Sequence, residues 1–288
     1  MFNNFYMFLR LIRVHQYVKN LVIFFPAFFQ IEVFLLKYES FIYAFLSLCL
    51  VSSAGYLIND IHDKNSDKLH KLKKNRPLAK NEISVLTAII IFFLFVTLSF
   101  YLAFFLSLFF FYIIVFYLAY SICYTFFLKR TPIFDIFFLS IFYCIRIFSG
   151  TLIMEEVVSY WLVFFSFMLF SYLSSLKKLV DNKNLNKNSY YNKSDIELLK
   201  IIAPSLFMAA ILLFVNYLIV NSRLVHNPFV GYLIFLILIF WGIHMLRQVF
   251  LNNINSDPIL FVLKDKNSYI LIFLLAILLS FNFLLKIK

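Results

Sequence analysis

Long apolar runs, broken by short polar stretches, follow one another along the whole chain, and none of them alternates apolar and polar residues with a period of two. Each run is close to the roughly 20 residues a helix needs to cross about 30 Å of hydrocarbon. A lipid-facing barrel would need the alternation that is missing. The pattern predicts nine spanning helices, at 20–36, 40–58, 84–104, 107–128, 136–154, 158–176, 198–220, 229–250 and 268–286. Residues 1–288 therefore read as a single all-α, polytopic transmembrane domain with no soluble domain attached.

Composition agrees with a bilayer as the solvent. With 63% hydrophobic and 14% charged residues, a water-soluble globule would expose far more apolar surface than its polar residues could cover. An odd number of spans puts the termini on opposite sides. The loops near 59–83, 129–135, 177–197 and 251–267 then share a face with the N-terminus and hold most of the Lys and Arg, while the other face carries Lys37, Arg223, Lys286 and Lys288. The positive-inside bias places the long loops in the cytoplasm of a multi-pass plasma membrane protein, the inner membrane in a bacterium. The net charge of +12 reads as topology rather than nucleic-acid binding. Arg10, Arg13 and Lys19 precede the first run with no small-residue cleavage site after it, so no removed signal peptide is expected. Cys49, Cys123 and Cys144 lie in apolar runs without metal-ligand spacing and read as packed thiols.

Candidate chemistry is concentrated after the second predicted span, in Asn59-Asp60-Ile61-His62-Asp63-Lys64-Asn65-Ser66-Asp67. At about 100° per residue, Asp60, Asp63 and Asp67 fall within roughly 60° of one another, with Asn59 at the edge of the stripe. Such carboxylates repel unless a cation lies between them, and hard oxygen ligands favour Mg²⁺ bridging to a diphosphate. The plain alternative is a solvated helix end. His70, Lys73, Lys74, Arg76 and Pro77 follow, putting cations where a phosphate-bearing ligand needs them. His62 is turned away from the acids by its phase. Arg146 lies inside the fifth predicted span, where a charge demands a partner. Asp135, Tyr143, Arg146 and Gly150 share nearly one face, yet Asp135 and Arg146 stand about 16 Å apart along the helix, so any contact between them needs another helix or a ligand. Tyr124 and Tyr143 fit helix packing and ligand contact equally.

The segment from Asn59 to Ser84, including Arg76-Pro77-Leu78-Ala79, resembles the first aspartate-rich motif and the R-P-[IL]-A signature of the UbiA prenyltransferase superfamily. Further segments resemble its decaprenyl-phosphate phosphoribosyltransferase branch. Arg13-Val14-His15-Gln16-Tyr17-Val18-Lys19-Asn20 resembles R-P-x-Q-W-x-K-N, with Val14 in place of proline and Tyr17 in place of tryptophan. Tyr124 to Lys129, Asp135, Tyr143, Arg146 and Gly150 follow the branch's central pattern. Tyr172 to Lys178, then Arg247, Asp257-Pro258 and Asp265-Lys266, follow its closing elements in order. The quinone-forming branch carries a second aspartate-rich motif after the sixth span; here that loop offers Asp181 and Asp195, with Lys177 and Lys178 at its start.

The resemblance implies a UbiA-like helical bundle and Mg²⁺-dependent transfer of 5-phosphoribose from 5-phosphoribosyl 1-diphosphate to a polyprenyl phosphate. It implies that Asn59, Asp60, Asp63 and Asp67 hold the metal, the three aspartates being catalytic. It implies that Lys19, Lys73, Arg76, Tyr124, Lys129, Asp135, Tyr143, Arg146, Lys177 and Lys178 contact substrate. Prenylation of an aromatic quinone or haem precursor, and carriage of a lipid-linked sugar, remain the competing readings.

Overall fold

Buried in lipid, a backbone N–H or C=O must find its partner within its own helix, so uninterrupted apolar runs have one stable form. The computed structural model describes residues 2–29, 31–69, 73–155, 160–182, 190–220, 228–254 and 257–287, and no strand occurs among them. The helices are α1 (Phe2–Leu11), α2 (Ile31–His62), α3 (Lys64–Leu69), α4 (Val85–Leu106), α5 (Leu108–Phe126), α6 (Phe134–Ile153) and α7 (Tyr160–Asn182). They continue as α8 (Lys193–Val220), α9 (Pro228–Phe250), α10 (Pro258–Val262) and α11 (Lys266–Ile287). Seven helices among the described residues, α2 and α4 to α9, are long and apolar enough to cross a membrane, which makes this an integral membrane protein. α11 adds a further apolar helix over the ninth predicted span.

Two expectations are corrected. The predicted span at 20–36 is not one α-helix: Val14–Phe29 winds as a 3₁₀-helix through Pro26, and α2 begins at Ile31 with a break at Lys37. Proline lacks the donor an α-helix would use and disfavours the α conformation before it. A 3₁₀ rise of about 2 Å per residue still gives this segment a reach near the hydrocarbon thickness. Secondly, Lys177 and Lys178, assigned to a loop, lie in the last turns of α7, which runs on to Asn182.

The chain forms two compact units. The first comprises Met1–Phe24, Glu32–Thr131 and Ile145–Glu156; the second comprises Phe25–Ile31, Pro132–Cys144 and Val157–Lys288. In the first, α4 buries Ala88, Phe95, Ser99 and Ala103, one stripe at helical spacing, and exposes Ile90, Phe93, Tyr101 and Phe104, the face expected to meet lipid. Ser47 Oγ donates to the Ser99 carbonyl at 3.0 Å and Ser99 Oγ to the Ser47 carbonyl at 2.8 Å, so small hydroxyls tie α2 to α4. At the α4–α5 turn, the Ser107 N–H donates to the Ala103 carbonyl at 3.2 Å while its Oγ accepts from Phe110 N at 3.0 Å. One residue thus ends one helix and starts the next. Ser107→Ala is expected to lower stability by about 1 kcal/mol, measured by unfolding in detergent.

In the second unit, α7, α8 and α9 enclose a core that includes Leu173, Leu176, Leu199 and Met245. The fully buried Tyr172 donates its hydroxyl to the Gly242 carbonyl at 2.6 Å, satisfying an otherwise costly polar group.

Candidate active site

The end of α2 in the first unit carries the acids, and the helical path continues across its small break. Asp63 N donates to the Asn59 carbonyl at 2.9 Å and Asp67 N to the Asp63 carbonyl at 2.8 Å, so the four-residue spacing survives from α2 into α3. The turn that follows brings Arg76 back over the stripe. Its Nη1 lies 3.0 Å from Asp60 Oδ1 and 2.5 Å from Asp67 Oδ2, so two carboxylates reach one point. Asp60 is only 3% exposed and also receives a two-pronged guanidinium from Arg13, whose Nε lies 3.2 Å from Oδ2 and whose Nη2 bonds Oδ1. The Arg13 guanidinium lies 4.8 Å from the centre of the Tyr56 ring. Arg13 takes a left-handed backbone, φ 55°, where α1 turns into the 3₁₀ segment. Arg10 donates to the Asn75 carbonyl, fastening α1 to the stretch that ends in Arg76.

Asp63 has separate partners. Lys129, after α5, pairs with its Oδ2 and stands 3.3 Å from Asn59 Oδ1. His62 Nδ1 is 3.1 Å from Asp63 Oδ1, and its ring packs edge-on against Phe126 at 4.9 Å, so this histidine does touch one acid of the stripe. The surroundings divide the two titrations. Burial alone would raise Asp63, but Lys129 and then His62 outweigh it and hold the carboxyl below the ordinary range. Burial also raises Asp67, and the neighbouring Asp60 and Asp63 add to it, so Asp67 stays above that range despite Arg76. Burial disfavours the Arg13 cation, yet Asp60 and the other neighbouring groups outweigh it and hold the guanidinium above its ordinary range.

Among the described residues, no three His, Cys, Asp or Glu side chains group into a metal cage. Magnesium needs only one or two carboxylates, with waters and substrate phosphates completing the shell. Asp60 and Asp67, converging on one point with Asn59 and Asp63 beside them, provide donors of that hardness. The proposed donor chemistry is therefore compatible with the residues present.

The remaining candidates are spread over both units. Lys19 is buried, Lys73 and Tyr124 are half-buried, and His70 lies outside the described residues. In the first unit Arg146, 3% exposed, donates from Nε to Asn20 Oδ1 at 2.7 Å and from Nη2 to Tyr117 Oη at 2.6 Å. In the second unit, Tyr143 stacks on Phe170, ring centres 4.2 Å apart. Asp135 is wholly buried: Lys178 pairs with it and Tyr191 donates a hydroxyl to it, while Ile133 N donates to the Tyr191 oxygen at 3.1 Å. Lys177 stands 3.3 Å from Asp257, the residue that caps α10. Asp135 thus holds a cation at the start of α6 instead of facing an open surface.

Four contributors escape the sequence reading: Arg13, Asn20, Tyr117 and Tyr191. Arg13 and Asn20 belong to the quoted N-terminal motif, so their chemistry was visible though their partners were not. Tyr117 and Tyr191 carried no separate signal among the chain's 18 tyrosines.

The family model described as the UbiA prenyltransferase family matches residues 22–264. Uncharacterized protein y4nM from Sinorhizobium fredii is 28% identical over 280 residues, covering 92% of this chain but 54% of that protein; the chain therefore spans about half of that relative's length. Nodulation protein NoeC from Azorhizobium caulinodans is 26% identical over 279 residues, 93% of this chain and 91% of the relative. Decaprenyl-phosphate phosphoribosyltransferase from Mycolicibacterium smegmatis is 29% identical over 118 residues, 41% of this chain and 37% of that enzyme. Among solved structures, a UbiA homolog from Archaeoglobus fulgidus bound to GPP and Mg²⁺ superposes with a TM-score of 0.74 at 16% identity, over 98% of this chain and 100% of that one.

Proposed function

This chain belongs to the UbiA prenyltransferase family, and from that premise we propose that it transfers 5-phosphoribose from 5-phosphoribosyl 1-diphosphate to a polyprenyl phosphate. The C1–O bond to diphosphate breaks and its electron pair leaves with the diphosphate. An oxygen of the acceptor phosphate forms the new C1–O bond. The observation that carries the reading is that Lys177 and Lys178 stand where the quinone-forming branch has its second acidic cluster, in a chain that keeps the first acidic stripe. A lysine pair suits a phosphate group better than a second magnesium ion. The partial likeness to a decaprenyl-phosphate phosphoribosyltransferase supports it.

Asn59, Asp60, Asp63 and Asp67 would hold Mg²⁺, which supplies charge stabilisation to a leaving diphosphate when bound. Arg13, Arg76 and Lys129 exchange carboxylate oxygens for phosphate oxygens as the donor enters. Held in place by α1 and α2, they present positive charge where negative charge develops. The acceptor phosphate is already anionic, so catalysis depends on alignment more than on a general base. Lys19, Lys73, Lys177 and Lys178 are assigned to the phosphates of the two substrates, and Tyr124, Tyr143 and Arg146 to shaping the site. The soluble donor enters from the cytoplasm and the lipid from the inner leaflet.

Purified protein given labelled 5-phosphoribosyl 1-diphosphate, polyprenyl phosphate and Mg²⁺ is expected to form a labelled lipid, with synthesis stopped by EDTA and restored by excess Mg²⁺. Lack of labelled lipid alongside prenylation of an aromatic acceptor would replace this reading with quinone-type transfer.

A further inference from the structure

In the second unit, two cavities follow one another along the same pair of helices. The first, about 410 Å³, lies between the end of α7, the start of α8 and the end of α9, and is lined by Lys193 and Lys200 together with Leu179, Ile196 and Val249. The second, about 370 Å³, lies farther along α8 and α9 and is lined by apolar side chains, among them Phe207, Ile211 and Phe235.

Helical phase aligns them. On α8 the lining residues Lys193, Ile196, Lys200, Pro204, Phe207 and Ile211 follow at intervals of three or four, which is one face of one helix. On α9, Phe235, Ile239, Gly242, Leu246 and Val249 do the same. From Lys193 to Val215 the stripe runs about 33 Å, the depth of the hydrocarbon layer. Gly242 presents no side chain toward this cleft, and a Cβ there would come within 2.0 Å of the Phe207 ring. Met208, Leu212 and Ile243 line the apolar part and are 55–61% exposed, so it opens sideways to lipid.

Charge changes once along the cleft. Its mouth holds two lysines two turns apart, with Glu197 between them and the amides of Asn182 and Asn252 nearby, leaving one net positive charge. Beyond Pro204 the lining is apolar. An amphiphile with a negative head and a hydrocarbon tail matches that order.

We propose that the α8–α9 cleft binds a single-chain lipid monophosphate, phosphate at Lys193 and Lys200 and tail along Phe207, Ile211 and Phe235. Resting on the proposed function, it assigns the lipid substrate a second resting place, apart from the acidic stripe in the first unit.

The test uses the full chain in detergent and farnesyl monophosphate carrying a diazirine in its chain, with adducts mapped by peptide mass spectrometry. Adducts are expected on Met208, Leu212 or Ile243, competed by unlabelled farnesyl monophosphate and far less by farnesol or inorganic phosphate. Lys193→Gln with Lys200→Gln is expected to reduce their yield about tenfold, as befits loss of charge-assisted hydrogen bonds. Met208→Trp, filling the slot from its exposed side, is expected to reduce it with both lysines intact. Adducts absent from α8 and α9, or unchanged in the double variant, overturn the proposal. Equal displacement by phosphatidylglycerol would make this a site for bilayer phospholipid, and equal displacement by inorganic phosphate a site for the head alone; either also overturns it. Adduct mapping without phosphoribosyl transfer leaves the cleft standing and removes the proposed reaction; transfer without adducts does the reverse.

Discussion

Arg76→Met is expected to lower stability by about 3 kcal/mol, the low end for breaking one partner of a buried ion pair. The side chains of Asp60 and Asp67 are 4% and 5% exposed, and both lean on the same guanidinium. Its removal sets two desolvated carboxylates against each other. Arg13 still holds Asp60, which keeps the loss from being larger. Asp67, already raised by burial, would take up a proton still more readily. Unfolding midpoints in detergent provide the measurement, with Asp67→Asn in the same background as the control. That second substitution should recover much of the loss, since it removes the stranded charge. Additive losses would mean that Arg76 acts through packing alone.

Asp63→Ala should behave oppositely, with turnover falling about a thousandfold and stability changing little. Lys129, its main partner, is 25% exposed, so the ammonium freed by the substitution can reach water. Single-turnover rates at saturating Mg²⁺ and substrate would locate the defect in the chemical step. Retention of most of the activity would remove Asp63 from the machinery. An equally large drop in unfolding midpoint would make its role structural.

The two variants also separate what the sequence reveals from what it conceals. Hydrophobic run length identified the membrane helices because a bilayer gives an unpaired backbone no alternative, and spacings of three and four residues put Asp60, Asp63 and Asp67 along one helical path. Pairing was less legible. Which cation meets which acid depends on where the chain returns: Arg76 is 9 residues from Asp67, whereas Arg13 lies 47 from Asp60 and Lys129 lies 66 from Asp63. The break around Pro26 was hidden for another reason. Apolar run length measures only whether a segment can cross lipid, and 3₁₀ and α windings satisfy that test alike. Arg146 is instructive in a third way: its need for a partner was evident from the sequence, but its hydrogen bonds to the neutral side chains Asn20 and Tyr117 were not.

Ion pairing at the end of α2 joins three aspartates, Asp60, Asp63 and Asp67, to three cations, Arg13, Arg76 and Lys129. Formal charge in that ensemble sums to zero. A lone divalent ion would have to compete with those cations, and a lone polyanion with those acids. Arriving together as a chelate, they would replace both halves of the lattice with little electrostatic imbalance. A surface balanced in this manner would discriminate against the separate ingredients without excluding either by shape.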